Sequence, residues 1–340
     1  CTALQATFPE RIWPSRPGRG LLRSAHTQTT PQAQIQITNM TKIVITAANG
    51  QLGTRIAHHL AAQGAAASVR LAARNPSKLA QWAEQGFETV RADYDDVASL
   101  DAAFAGADIV LLISGSPDPV DADLRKRQHR NAIAAAERAG VRRVVYTSSI
   151  TARPHPGQPV LDDHYDTELA LITSKLNWTI LRNNIYLDII LEMILPSILQ
   201  TGQYLTSSGK GSVAYVSRDD LARATAHLLL APTEGNHIID LAGTEAFNGA
   251  ELVQLVSELT GRTVQHVVVS SAEHRAALAA AGLPPHIIEF VVAFDELIAN
   301  GYFSITNHVI AELTGTPVVS AREFLSAHLK SSPAAAAGSH

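Results

Sequence analysis

The chain is almost without cysteine: among 340 residues Cys1 stands alone. That excludes a disulfide scaffold, a thiolate metal site and a cysteine nucleophile in the folded part. It fits a reducing, intracellular compartment, and a cytoplasmic protein is expected. Long apolar runs are missing too, so nothing approaches the length needed to span a bilayer. The richest stretch, Ile185–Leu199, is interrupted by Asp188, Glu192 and Pro196 and reads as a helix lying on a core or pocket. His58 and His59 have no H-E-x-x-H context, so no metal site is expected. Ser148 and Ser149 lack the flanking glycines of a hydrolase elbow. The Tyr-x-x-x-Lys pair that serves alcohol–ketone dehydrogenases is absent as well: Tyr165 is followed four residues later by Leu169, and Tyr146 by Ile150. Ordinary alcohol–ketone chemistry needs a positioned acid, so acceptors that take hydride without one are favoured.

The net charge is −4. Residues 1–39 run the other way, with four arginines, one acidic residue and Pro9, Pro14, Pro17 and Pro31. They show no periodicity. They read as a disordered leader or appended extension rather than an Arg-rich transit peptide, because the prolines break an amphipathic helix. The remaining chain is therefore more acidic than the whole, which argues against nucleic acid or a membrane surface as partner. The low-complexity tail, 331–340, reads as disordered. Internal repeats are absent, and oligomeric state is not legible.

From Lys42 onward, short apolar runs alternate with helical patterns. Strands are expected at Lys42–Thr46, Ser68–Ala73, Thr89–Ala92, Asp108–Ser114, Val144–Thr147 and Trp178–Leu181, with His237–Leu241 a further candidate. Helices fill the gaps. The first places Leu52, Ile56 and Leu60 on one face and stops at Gly64. Asn75-Pro76 supplies a cap and a first-turn proline. Ser217-Arg-Asp-Asp220 reads as a capping box with Asp in place of Glu. This alternation predicts an α/β fold: a Rossmann-type, doubly wound parallel sheet in the order 3-2-1-4-5-6. Residues 40–184 are expected to form the dinucleotide-binding domain. Residues 185–330 are expected to form a smaller, mostly helical lobe over its ligand edge.

The most informative segment is Ile43-Val-Ile-Thr46-Ala-Ala-Asn-Gly50-Gln-Leu-Gly53. A strand, a glycine turn and a helix start in that order present unpaired N–H groups to a diphosphate. Ala47, Ala48, Asn49, Gly50, Gln51 and Leu52 are the expected contacts. Gly53 lets the helix pack close. Ala47 stands where such turns usually have glycine, and its Cβ is tolerable only if φ stays negative. At the end of the second strand an NAD site would place an acid; this chain has Arg74, with Lys78 a turn later, which suits the extra phosphate of NADP. Asp93 either accepts from the adenine amine or caps the next helix with Asp95 or Asp96. Ser114, Gly115 and Ser116 follow the fourth strand and either flank the ribose and nicotinamide or form a plain turn. His164 and Glu168, four apart, read as a surface pair.

These residues resemble the NmrA-like members of the atypical short-chain dehydrogenase/reductases, in the group of type 2 quinone oxidoreductases, triphenylmethane reductases and flavin-free azoreductases. The carriers are Thr46–Gly53, Arg74-Asn75-Pro76-x-Lys78, Asp93-Tyr94, Leu112-Ile113-Ser114-Gly115, His164-x-x-Thr167-Glu168, Thr179-Ile-Leu-Arg182-Asn183-x-x-Tyr186 and Val216-Ser-Arg-Asp-Asp220-Leu-Ala222. The resemblance implies NADPH along the turn and Arg74, no flavin and no metal, with Arg182, Asn183 and Asn184 bordering the nicotinamide. It also implies Tyr186 in the acceptor pocket, where the residues alone allow a plain packed aromatic. Asn183 would orient nicotinamide or substrate, and a proton would come from solvent or His164. The implied function is hydride transfer from NADPH to a quinone, an azo dye or a triphenylmethane dye. An NmrA-type regulator that senses NADP without turnover is the alternative; an epimerase is disfavoured by the missing Tyr-x-x-x-Lys.

Overall fold

Runs of apolar residues too short for helices form the centre of the molecule. The computed structural model describes residues 41–115, 121–153 and 159–331. The expected leader over 1–39, Ser116 and the tail beyond 331 lie outside them. Seven strands make one sheet: β1 (Ile43–Ile45), β2 (Val69–Ala73), β3 (Glu88–Arg91), β4 (Ile109–Leu112), β5 (Arg143–Ser149), β6 (Asn177–Asn183) and, after two short strands β7 (Gln203–Thr206) and β8 (Ser212–Val213), β9 (His237–Leu241). Their order is β3-β2-β1-β4-β5-β6-β9. Every neighbouring pair in this sheet is parallel. The expected order holds, and β9 extends it beside β6. The chain beyond 185 thus returns to the central sheet.

Parallel strands need crossovers, and the crossover helices bury both faces of the sheet. Successive residues of β1 part to opposite sides. Ile43 and Ile45 join one cluster with Leu71, Leu111, Val145 and Leu181, covered by Leu52, Ile56 and Leu60 of the Gln51–Ala62 helix and Leu221 of the Arg218–Leu230 helix. Val44 joins the other with Val110, Tyr146 and Ile180, covered by Leu100 and Phe104 of the Val97–Phe104 helix and Ile133 of the Leu124–Arg138 helix. Each such buried aliphatic side chain contributes about 1.5–3 kcal/mol. Gly64 and Gly140, at φ 71° and 67°, end two of these crossings in the left-handed conformation that glycine adopts freely.

Two local readings are corrected. Asn75 does cap its segment, accepting from Ser77 N–H at 3.1 Å. The capped segment is a 3-10 turn, Pro76–Leu79, continued by one α-turn, Ala80–Ala83, rather than a full helix. Ser217 caps its helix through Asp220 N–H at 3.0 Å, but the Asp220 carboxylate does not return to the Ser217 N–H. Aspartate is one methylene shorter than glutamate, and this carboxylate takes Ser217 Oγ, Arg223 and the N–H of Val319 instead.

Beyond β6 the chain is mostly helical. Leu187–Thr201 contains a wide π-turn at Ile190–Ile194, just before Pro196, which has no N–H to continue the regular ladder. Reciprocal capping boxes, Asn248 with Glu251 and Ser270 with Glu273, start the Gly249–Thr260 and Ser271–Ala280 helices. β10 (Phe247–Asn248) pairs with β8, and β11 (Gln265–Val268) with β7. Among the described residues no helix is long and apolar enough to cross a membrane.

Candidate active site

The carboxyl ends of β1 and β4 are tied by one buried hydroxyl. Thr46 Oγ1 donates to the Leu111 carbonyl at 2.9 Å and accepts from Ile113 N–H at 3.0 Å. The Tyr94 hydroxyl donates to it at 2.6 Å and lies 2.7 Å from the Ile113 carbonyl. Directly after this anchor, Ala47 has φ 48°. The expectation of a negative φ is wrong here. The left-handed backbone costs a non-glycine residue about 1–2 kcal/mol, and Thr46 on one side and the Gly50 N–H bond to Ala47 O at 2.9 Å on the other hold it in place. Gly50 then starts the Gln51–Ala62 helix without a side-chain cap and with no acid in the first turn, so its first N–H groups and dipole remain available to an anion. A Cβ on Gly53 would sit 2.7 Å from Ala47 O and 2.8 Å from Ala48 Cα; only glycine fits.

The turn opens into a cavity of about 580 Å³ across the strand ends, a size usual for a cofactor with its substrate. Its middle is formed by Ala47, Asn49, Gly50, Gln51, Leu52 and Gly53. Ala48 faces the core and is fully buried. On the β2–β3 side stand Arg74, Ala92, Asp93 and Tyr94. Arg74 is exposed. Lys78 lies one turn on, outside the lining. Asp93 accepts from Asp95 N–H at 3.2 Å and lies 3.5 Å from Arg91. Asp96 caps the next helix by accepting from Ser99 N–H, which leaves Asp93 facing the cavity.

On the β4–β5 side the lining is Ile113, Ser114, Gly115, Leu124, Gln128, Thr147, Tyr186 and Arg218. Thr147 Oγ1 accepts from Ser114 N–H at 2.9 Å, and the Gly115 carbonyl accepts from Arg125 at 3.1 Å. Gly115 N–H donates to His129 Nε2 at 3.3 Å. That bond makes Nε2 the acceptor, so the ring is neutral and Nδ1–H faces Thr167 Oγ1 at 2.9 Å. Burial, then the nearby Arg125, lowers the His129 pKa to about 3.

Other expected residues lie under the floor. His164 is buried with Nδ1 2.8 Å from the Tyr146 hydroxyl. Burial, then Arg125 and His129, holds its pKa well below the usual histidine range. It does not line the cavity, so a proton supply to the acceptor has no geometry here. Nor do His164 and Glu168 form a surface pair: Glu168 is buried, accepting from Ser148 Oγ at 2.6 Å and from Arg182 Nε and Nη2 at 2.9 and 2.6 Å. Helical spacing placed both on one face, and that face packs inward. Arg182 is engaged by that carboxylate. Asn184 is buried and committed as well, donating to the Phe303 carbonyl at 3.1 Å and accepting from Ile185 N–H at 2.8 Å; neither residue reaches the lining.

Asn183 lies outside the lining as well. It is 5% exposed, and its amide makes no well-formed hydrogen bond among the described residues. It lies beside Tyr186. Burial raises the Tyr186 pKa, while Asn183 and Arg218 pull it the other way. Arg218 is invisible as a site residue in the sequence because only long-range pairing brings it there. Tyr186 bridges to Val216, with Leu187 N–H to Val216 O and Val216 N–H to Ile185 O both at 3.0 Å. The guanidinium then lies 4.8 Å from the Tyr186 ring centre. Tyr94, Leu124 and Gln128 were also missed as contacts; Tyr94 was legible beside Asp93, the other two only as helix residues.

An uncapped helix start, a cradle that tolerates no Cβ and a guanidinium at the β2 edge fit a dinucleotide. Residues 47–232 match the family model described as NAD(P)H-binding. Quinone oxidoreductase 2 of Escherichia coli is 33% identical over 84% of this chain and 97% of its own length. An NAD(P)H azoreductase of Xenophilus azovorans is 25% identical over 84% and 97%. The structure of Citrobacter sp. triphenylmethane reductase complexed with NADP(H) superposes with a TM-score of 0.77 at 32% identity, covering 84% of this chain and 99% of that one. The chain belongs to the NAD(P)H-binding family and is an NmrA-like NAD(P)H-dependent oxidoreductase.

Proposed function

We propose that this protein is an NADPH-dependent, flavin-free reductase that passes hydride directly to an aromatic acceptor: a quinone, an azo dye or a triphenylmethane dye. One observation carries the reading. Among the described residues around Tyr186, no group is fit to donate a proton at neutral pH. His129 and His164 are buried and neutral, and the phenol at the lining, Tyr186, has a raised pKa. A ketone would need a better acid. Conjugated acceptors spread the incoming charge and take their proton from solvent.

When bound, reduced nicotinamide supplies the hydride. The chain's share is placement and exclusion of water. Residues 40–184 hold the cofactor and 185–330 cover the acceptor. The turn and helix N–H groups hold the diphosphate, and Arg74 holds the 2′-phosphate. The Asn183 amide orients the nicotinamide or the acceptor, and the Tyr186 ring stacks on the acceptor. No step asks for a metal.

The test follows nicotinamide absorbance with purified protein, menadione and an azo dye, after its visible spectrum has been checked for flavin. NADPH oxidation accelerated by either acceptor without flavin is expected. Tight NADPH binding with no acceleration by any quinone or dye would sink the reading and leave a nucleotide sensor.

A further inference from the structure

Gly115 stands in the cavity wall on the β4–β5 side, and one helix grips both of its backbone polar groups from below. Residues 125 and 129 are one turn apart on the buried face of Leu124–Arg138. Arg125 Nη1 donates to the Gly115 carbonyl at 3.1 Å, and the Gly115 N–H donates to His129 Nε2 at 3.3 Å. Neither side chain is part of the lining; they are 3% and 0% exposed. Each is held in turn by the Pro159–Ile172 helix. Arg125 Nε donates to Asp163 Oδ2 at 3.1 Å. His129 Nδ1–H faces Thr167 Oγ1 at 2.9 Å, and the Thr167 hydroxyl donates to the Asp163 carbonyl at 2.8 Å. A hydroxyl has one proton. With that proton given to Asp163, its oxygen can only accept from the ring. The ring proton is thereby kept on Nδ1, and Nε2 is left bare for the Gly115 N–H.

We propose that Arg125 and His129 are positioning residues for the cofactor: through Gly115 they fix the wall that receives its nicotinamide half, while the glycine turn and Arg74 hold the adenine half. The inference rests on the NADPH reading of the cavity. A dinucleotide crosses the crevice between β1 and β4. With Arg74 on the β2–β3 side, the nicotinamide half falls to the β4–β5 side, where Gly115 stands. A buried arginine–aspartate pair and a buried histidine pack no better than aliphatic side chains and cost desolvation. What they add is a fixed place for one stretch of backbone. Without its acceptor, the Gly115 N–H turns toward water in the cavity and the wall moves with it.

Three variants test this. His129→Leu fills the site and removes the acceptor. His129→Gln loses the ring as well but carries an amide oxygen at the depth of Nε2. Thr167→Val alters nothing in the lining and frees the ring to move its proton to Nε2. Each is titrated with NADPH and with adenosine 2′,5′-bisphosphate, which has the adenine half and no nicotinamide. In His129→Leu the Kd for NADPH rises about tenfold or more, while that for the bisphosphate stays within about twofold. His129→Gln returns NADPH to within about threefold of wild type, and Thr167→Val weakens NADPH alone by about threefold or more. The ring itself gives a readout without ligand. ¹⁵N NMR of the free protein, with the His129 signals identified by their loss in His129→Gln, finds the proton on Nδ1 in wild type. Equal losses for both ligands, no recovery with glutamine, or a wild-type proton on Nε2 overturn the proposal. If His129→Leu does not fold, Thr167→Val and the ring proton decide it. A wild type that binds neither ligand fails the cofactor reading and the proposal with it; variants that bind both as wild type does fail the proposal alone.

Discussion

Ala47 carries backbone strain where the family resemblance would place a glycine. Its φ of 48° is held by the Thr46 anchor and the Gly50 bond. Ala47→Gly should therefore stabilise the protein by about 1 kcal/mol, read as a higher urea midpoint at unchanged slope; a lower midpoint would show that the left-handed turn is not strained. Gly53 is the opposite case. A Cβ would meet backbone at 2.7 Å, so Gly53→Ala must push the helix away from the turn and weaken NADPH binding about tenfold or more, measured by titration of the folded variant. Arg74 lines the β2–β3 side of the cavity, where the proposed reading puts the 2′-phosphate. Arg74→Ala is expected to weaken NADPH about tenfold or more while changing NADH little; equal losses would remove Arg74 from the phosphate. Ala47 and Arg74 also mark how far the sequence can be read. A cation at a strand end is visible in a pattern. The sign of a dihedral depends on what anchors the neighbouring residues.

Elements built from local periodicity were legible. Leu52, Ile56 and Leu60 repeat at helical spacing and are buried together. The strand order followed from alternation and right-handed crossovers. Elements joined by distant pairing were not. The surface reading of His164 and Glu168 failed because β5 and β6 supply their partners: Tyr146 and Ser148 from one, Arg182 from the other. Arg218 reached the cavity through the Tyr186–Val216 bridge, which no spacing announces. The buried histidines between the Leu124–Arg138 and Pro159–Ile172 helices have a consequence for pH. Folding lowers the pKa of His129 from 6.5 to about 3, and that of His164 in the same direction. Between those values the unfolded chain binds protons that the folded one refuses. Stability is therefore lost as pH falls below about 6.5, by up to about 1.4 kcal/mol per pH unit for each histidine. His129→Gln should flatten this slope in urea unfolding measured from neutral to acid pH; an unchanged slope would place the acid sensitivity elsewhere.

At the scale of the molecule, a parallel sheet opens a crevice where its strand order turns back, between β1 and β4. The chain beyond β6 supplies Tyr186 and Arg218 to one end of that crevice and β9 to the edge of the sheet. Cofactor binding and folding are thereby linked: NADPH at a hundred times its Kd should add about 2.7 kcal/mol to stability, seen as a rise in thermal midpoint that Gly53→Ala reduces. Direct hydride transfer to an aromatic acceptor, as proposed above, leaves an isotope signature in the product. Purified protein would turn over crystal violet with NADPH deuterated at both C4 positions, and the leuco-dye would be analysed by mass spectrometry. Deuterium on the central carbon of the product is the predicted result. A leuco-dye carrying only solvent protium, or no reduction of this dye or of any quinone or azo dye, would contradict it.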